Sequence, residues 1–247
     1  MAHTNLSDGS RVIRLDRVDS TNAEALRMCF AGESGPVWVY AAEQSAGRGR
    51  RGRTWHSPKG NLYASLVFKP TGSASTHAQL SFVAALAVAD AVGELSAGRI
   101  KSDLKWPNDI LVEGKKVAGL LLEGTGEGSV VLGVGLNLAE VPSDVPYAAT
   151  CVAEETSFLV PPEMAMQEVR AHFAKWYDTW REAGFEPIRQ AWLARAAHLG
   201  QDIVVRTGRE EFSGRFLGLS PVGAALVDTG DETREVLAGD IFPLDEN

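Results

Sequence analysis

Two cysteines in 247 residues, Cys29 and Cys151, leave no room for a disulfide scaffold or a Cys-rich zinc module, and fit a reducing compartment. The N-terminus, MAHTNLSDGS, has no apolar core, so the sequence predicts no secretory signal. No stretch reaches the ~18 uninterrupted apolar residues of a membrane helix. The longest candidate, Ala78 to Leu95, is broken by Asp90, Gly93 and Glu94. These absences predict a cytoplasmic protein with no membrane attachment. Positive charge is also short, 24 Lys+Arg against 32 Asp+Glu, a net charge of −8. That argues against a general nucleic-acid binder, which neutralises phosphates with clustered cations.

What is present is an ordinary globular composition, 45% hydrophobic, long enough for one large domain and a small one. Patterning predicts a strand at Arg11–Leu15 and a helix over Ala23–Phe30, with Thr21 and Glu24 as a capping box. Strands are predicted at Val37–Glu43 and Asn61–Phe68, followed by a buried helix over His77–Leu95. Strands at Leu104–Val112, Lys116–Glu123 and Val130–Leu138 come next, the first two joined by the short turn Glu113-Gly114-Lys115. Pro161–Ala183 and Pro187–His198 read as helices with Pro near the start, and Trp176, Trp180 and Trp192 as their core anchors. After Gly200, four or five short strands, with Asp202–Arg206, Glu211–Leu219, Ala224–Asp228 and Thr233–Ile241 as the segments, suggest a small barrel of the SH3 kind. The fold class is α+β, with one domain over residues 1–198 and a small β domain over 199–247.

Charge placement is the most informative feature. Between Glu43 and Asp90 there is no acidic residue, while Arg48, Arg50, Arg51, Arg53, Lys59 and Lys69 fall in that window. Four of the arginines are interleaved with glycine in Gly47-Arg48-Gly49-Arg50-Arg51-Gly52-Arg53. Glycine allows close backbone approach and arginine offers forked donors, so the segment reads as a site for a small polyanion. It also mimics a dinucleotide fingerprint and a P-loop. Both of those need a helix directly after the loop, and here Trp55-His56-Ser57-Pro58-Lys59-Gly60 and a strand follow.

Two further groups stand out. In Lys105-Trp106-Pro107-Asn108-Asp109, Pro107 forbids a regular central strand and makes an edge or a turn. Lys116 then opens an otherwise apolar strand; its ammonium either faces an anion inside or reaches water at the strand end. In Gly133-Val134-Gly135-Leu136-Asn137, the glycines mark either close approach of a ligand or tight packing against a helix.

Taken together, Ser20-Thr21-Asn22, Glu43-Gln44, the Gly/Arg run with Trp55, Lys105 to Asp109, Lys116-Val117-Ala118-Gly119 and Gly133 to Asn137 resemble biotin protein ligases, over nearly the whole chain. The resemblance implies a class II aminoacyl-tRNA synthetase/biotin ligase-like mixed sheet with helices packed on it, plus an SH3-like β-barrel. It implies ATP and biotin as substrates, Mg²⁺ with the ATP, and transfer of biotin to a lysine of a biotin carboxyl carrier protein. By resemblance, Lys116, Arg48 and Asp109 are catalytic. Ser20, Thr21, Asn22, Gln44, Gly47, Arg48, Gly49, Arg50, Lys116, Gly119 and Gly133 bind biotin. Arg48, Arg50, Arg53, Trp55, Lys116 and Asn137 bind ATP. Asp109 is a candidate for positioning Mg²⁺, although no metal signature is present.

Members that double as repressors carry a winged-helix domain before the catalytic one. Only 19 residues precede Ser20, so the expectation is a ligase without DNA binding. The resemblance implies a monomer or a homodimer, since members of the family are both. The rival readings are a lipoate or octanoate ligase of the same fold, a non-catalytic nucleic-acid module using the arginine loop, and a ligand-binding protein without catalysis. The lipoate signature, a Gly-Gly-Gly run and a following His-Asp, does not occur. For the nucleic-acid module, Trp55 and Tyr63 are a thin stacking platform.

Overall fold

The structure, a computed structural model, describes residues 6–126, 128–141 and 145–244. A seven-stranded sheet holds β1 (Arg11–Leu15), β2 (Val37–Ala41), β3 (Leu62–Phe68), β4 (Asp103–Lys105), β5 (Asp109–Val112), β6 (Lys115–Gly124) and β7 (Val130–Leu136). Their spatial order is β1-β2-β3-β7-β6-β5-β4. Only β1 and β2 run parallel, so the sheet is mixed.

Strand alternation gives the two faces different roles. Trp38, Leu62, Leu66, Phe68, Leu132 and Leu136 join the main core with α2 (Leu80–Leu95) and α4 (Pro162–Ala183). Trp38, Phe68, Phe173 and Tyr177 meet there edge-to-face or stacked. The opposite face carries α1 (Thr21–Phe30) over a smaller cluster of Ala25, Val37, Val39, Val67 and Val131. Gly133 and Gly135 share that second face with Val131, so the glycines of β7 lie away from the main core. By length and composition the helical stretch Ala74–Leu95 could cross a membrane, but its most apolar 18 residues are 67% buried inside the fold, which makes it a core helix.

The remaining elements are α3 (Val152–Thr156), α5 (Phe185–Leu193) and the strands β8 (Asp202–Arg206), β9 (Glu211–Leu219), β10 (Ala225–Asp228), β11 (Thr233–Val236) and β12 (Asp240–Pro243). These five strands form an antiparallel SH3-like sheet in the order β11-β10-β9-β8-β12. The predicted barrel is not closed among the described residues. Residues 237–239 carry β12 across to pair with β8 rather than with its neighbour β11. The single strand predicted over Thr233–Ile241 is therefore two.

Three other expectations change. Leu104–Val112 is a hairpin, β4 turning into β5 at Trp106-Pro107-Asn108, because Pro107 has no N–H for the ladder. The helix predicted over Pro187–His198 starts at Phe185 and stops at Leu193. Beyond it, Ala197 donates its N–H to the Leu104 carbonyl of β4 instead of continuing the helix. Finally, Ser20 and not Thr21 caps α1: the Ser20 hydroxyl accepts from the Ala23 N–H, while the Thr21 hydroxyl is spent on Gln44.

Candidate active site

The Gly/Arg segment is a small hairpin. Arg48 bridges Thr54, the Gly49 N–H reaches the Arg53 carbonyl at 2.7 Å, and the Trp55 N–H reaches the Gly47 carbonyl at 2.9 Å. Its tip is one 3₁₀ turn, Arg50–Gly52, where Arg51 has φ of 54°. No α-helix opens from it, which removes the dinucleotide and P-loop alternatives. The hairpin lies over the face of the sheet opposite the main core and roofs a cavity of about 290 Å³, near the small end of ligand sites.

Gly119 on β6 and Gly135 on β7 are register partners, and together they make a flat floor. The indole of Trp55 lies across both: a Cβ built at Gly119 would stand 2.9 Å from Trp55 Cζ3, and one at Gly135 2.6 Å from its Cζ2. Trp55 Nε1 is buried with no acceptor, a donor left for a bound molecule to satisfy. Over Gly133 the space is filled by the Asn22 carboxamide, so that glycine is explained by packing against α1.

Lys116 faces inward. Its Nζ is 2.7 Å from Asp109 Oδ1 and lies 5.3 Å and 5.1 Å from the ring centres of Trp55 and Tyr147. The ammonium thus sits between two aromatic faces, each an attractive surface for a cation, and one carboxylate. Asp109 begins β5 directly opposite Gly119, so the turn at Pro107 delivers the carboxylate to the cavity.

The other cations also have partners. Arg48 Nη2 pairs with Glu123 at 2.9 Å. Arg50, Arg51 and Arg53 converge on one carboxylate, Asp240 of β12, at 3.1–3.4 Å. Arg50 also donates to Asn108 Oδ1 at 3.1 Å. Burial lowers the Arg50 pKa, Asp240 opposes that, and Arg51 and Arg53 add to the lowering. Five cations thus face three carboxylates, leaving two positive charges in excess within a chain of net charge −8.

At the far end of the cavity the Thr21 N–H and hydroxyl reach Gln44 Oε1 at 2.7 Å and 3.1 Å, and Gln44 Nε2 donates to Ser57 at 2.8 Å. Ser20, Thr21, Asn22, Gln44, Arg48, Gly49, Arg50, Arg53, Trp55, Asp109, Lys116, Gly119 and Gly133 therefore share one cavity. Two residues named from the sequence do not line it. Gly47 is buried at the base of the hairpin against Trp55, Ser57 and Gln44, and Asn137 spends its amide on the Thr150 carbonyl at 3.0 Å. Sequence reasoning missed Tyr147, Glu123 and Asp240, and quoted Asn108 only within the Lys105–Asp109 run, with no role of its own. Glu123 had a signal, a lone acid closing the apolar run Val117–Leu122; Tyr147 had none.

Comparison with known proteins settles the family. Residues 15–137 match the Biotin/lipoate A/B protein ligase family, and residues 198–242 match the Biotin protein ligase C terminal domain. A biotin–[acetyl-CoA-carboxylase] ligase of Paracoccus denitrificans is 48% identical over 238 residues, which is 92% of this chain and 98% of that one. The chain belongs to the biotin protein ligases. A bifunctional ligase/repressor of Bacillus subtilis is 33% identical, over 94% of this chain and 74% of its own length. Among solved structures, the Aquifex aeolicus biotin protein ligase in complex with biotin and ATP superposes with a TM-score of 0.83 at 29% identity, over 94% and 97% of the two chains.

Proposed function

We propose that this biotin protein ligase activates biotin with ATP and hands it to a lysine of a biotin carboxyl carrier protein, that of acetyl-CoA carboxylase or a related carboxylase. One observation carries the reading: an ammonium held between Asp109, Trp55 and Tyr147 at the base of a cavity roofed by an arginine hairpin. In the first step a biotin carboxylate oxygen attacks the α-phosphorus of ATP and pyrophosphate leaves. In the second a neutral lysine amine attacks the acyl carbon, AMP leaves and the amine loses a proton. Carboxylate and phosphate repel each other, and in a water-poor site that repulsion is strong unless fixed cations offset it.

In this reading Lys116 lies between the two anions and Arg48 closes over the acyl-adenylate, with Asp109 holding Lys116 in place. Ser20, Thr21, Gln44 and the hairpin backbone meet the ureido end of biotin. Arg50 and Arg53 meet phosphate, and Trp55 meets the nucleotide. Among the described residues, Asp109 is the one carboxylate lining the cavity, and it is committed to Lys116. No group of three metal-binding side chains occurs among the described residues. The residues do not fit a protein-held Mg²⁺, so any Mg²⁺ enters as the counter-ion of the nucleotide. The division at 198/199, a cytoplasmic location, a monomer or homodimer and the absence of DNA binding complete the proposal.

The test is biotin-dependent pyrophosphate release from ATP, with lipoate in parallel. Lys116→Ala should cost about 10²–10³ in first-step rate. Pyrophosphate release driven by lipoate and not by biotin would replace this reading with the lipoate one. A wild-type-like rate in Lys116→Ala would overturn the role of Lys116.

A further inference from the structure

Arg48 is the one arginine of the hairpin whose partner lies on β6, the strand that also carries Lys116 and Gly119, and not on β12. That partner, Glu123, stands at the end of β6, where its side chain is 27% exposed. A single oxygen, Oε2, accepts from Arg48 Nη2 at 2.9 Å and from Asn22 Nδ2 at 2.8 Å. Asn22 is buried at the start of α1, and its orientation is fixed from the other side, because the Ser65 hydroxyl reaches its Oδ1 at 2.5 Å. Ser65 also sits 2.8 Å from the Thr21 hydroxyl; the Thr21 N–H reaches Gln44 Oε1 at 2.7 Å, and Gln44 leads on to Ser57 and the Trp55 carbonyl.

This chain of bonds is a closed loop. It leaves the hairpin at Arg48, runs through Glu123, Asn22, Ser65, Thr21, Gln44 and Ser57, and returns to the hairpin at Trp55, whose neighbour Thr54 bridges Arg48. Ser20, Thr21, Asn22 and Gln44 line the cavity, so a ligand resting on them touches members of that chain, and whatever fixes the Asn22 amide also fixes the carboxylate that Arg48 grips. The pair does little for stability, since Arg48 is 43% exposed and solvent weakens such pairs. Its effect is on direction. With Nη2 tied to Glu123, the rest of the guanidinium fork has a defined aim across the mouth of the cavity.

We propose that Glu123 is a positioning residue for this ligase: it aims Arg48 over the acyl-adenylate and ties that aim to occupancy of the biotin end through Asn22. The proposal rests on the function above and adds a residue to it. Glu123 touches no reacting atom, and all of its effect passes through Arg48.

The experiment forms labelled biotinyl-adenylate on the full-length protein and measures its release into excess unlabelled intermediate. The variants are Glu123→Ala, Glu123→Gln, Arg48→Ala and the double variant Glu123→Ala/Arg48→Ala. Release should quicken about tenfold in Glu123→Ala and about threefold in Glu123→Gln, which keeps an acceptor for both donors and loses the charge. The double variant should release no faster than Arg48→Ala alone, because the two residues act as one unit. A merely structural glutamate would instead give additive effects, with an equal loss of melting temperature in both backgrounds, and that result overturns the proposal. So does wild-type release in Glu123→Ala and Glu123→Gln. A wild-type protein that makes no biotin-dependent pyrophosphate sinks the function itself, which keeps the two failures distinct.

Discussion

Removing the Asp240 carboxylate is the sharpest test of how the C-terminal sheet serves the site. Asp240 is 18% exposed and holds Arg50, Arg51 and Arg53 at once. Arg51 and Arg53 are 39% and 54% exposed, so each contact contributes under about 1 kcal/mol. Arg50 is 22% exposed and lies against two like charges, so its charge-assisted bond to Asp240 is worth about 1.5–3 kcal/mol. Taking about 2 kcal/mol for the anchoring of the hairpin, Asp240→Ala shifts the balance between docked and undocked hairpin about 30-fold. Initial-rate measurements of the first step should then show the KM for ATP rising tenfold to thirtyfold, with Asp240→Asn in between. The reasoning fails if the KM for ATP is unchanged. A fall in KM would also refute it, because Asp240 would then be a competitor of phosphate for the arginines and not their anchor.

Three further outcomes follow from the same geometry. Lys116→Arg should not restore the first-step rate, because a planar guanidinium does not fit a slot shaped by Trp55, Tyr147 and Asp109 around a compact ammonium; full recovery would refute that fit. Trp106, 2% exposed and bonded through Nε1 to the Gly223 carbonyl at 3.1 Å, should cost about 3–5 kcal/mol on replacement by alanine, read from denaturant unfolding. A loss under about 1 kcal/mol would show that it does not join the two sheets. Finally, the Arg27 side chain, helped by the Ser20 N–H, holds the Asp19 pKa down to about 2 from 3.8. The stability this gives is present above about pH 4 and disappears as pH falls through about 2. Asp19→Asn should therefore flatten the difference in melting temperature between pH 4 and 2, and an unaltered acid limb in that variant would count against the pairing.

The arginine segment was legible because its evidence is local: four guanidiniums among glycines, in a stretch without acid. What those guanidiniums hold was not, since Asp240 lies 190 positions from Arg50 and Glu123 lies 75 from Arg48. Periodicity found the helices and most strands, because a buried face repeats along the chain. It failed where tertiary pairing overrides local pattern, as at β12, which reads as a continuation of β11 and instead completes the edge beside β8. Gly133 shows a different limit. A bare glycine in a strand announces that something comes close, and the sequence could not distinguish a ligand from Asn22.

The turn between β4 and β5 links neighbouring residues to very different surroundings. Trp106 inserts into the join with the C-terminal sheet, Asn108 receives Arg50, and Asp109 receives Lys116. Four consecutive positions thus span the seam between the sheets, the roof of the cavity and its charged base. A shift of the C-terminal sheet by a fraction of an ångström reaches the lysine through a lever only three residues long. Grafting that sheet from a distant relative would therefore be expected to disturb chemistry at the far end of the lever, even with every cavity residue left in place.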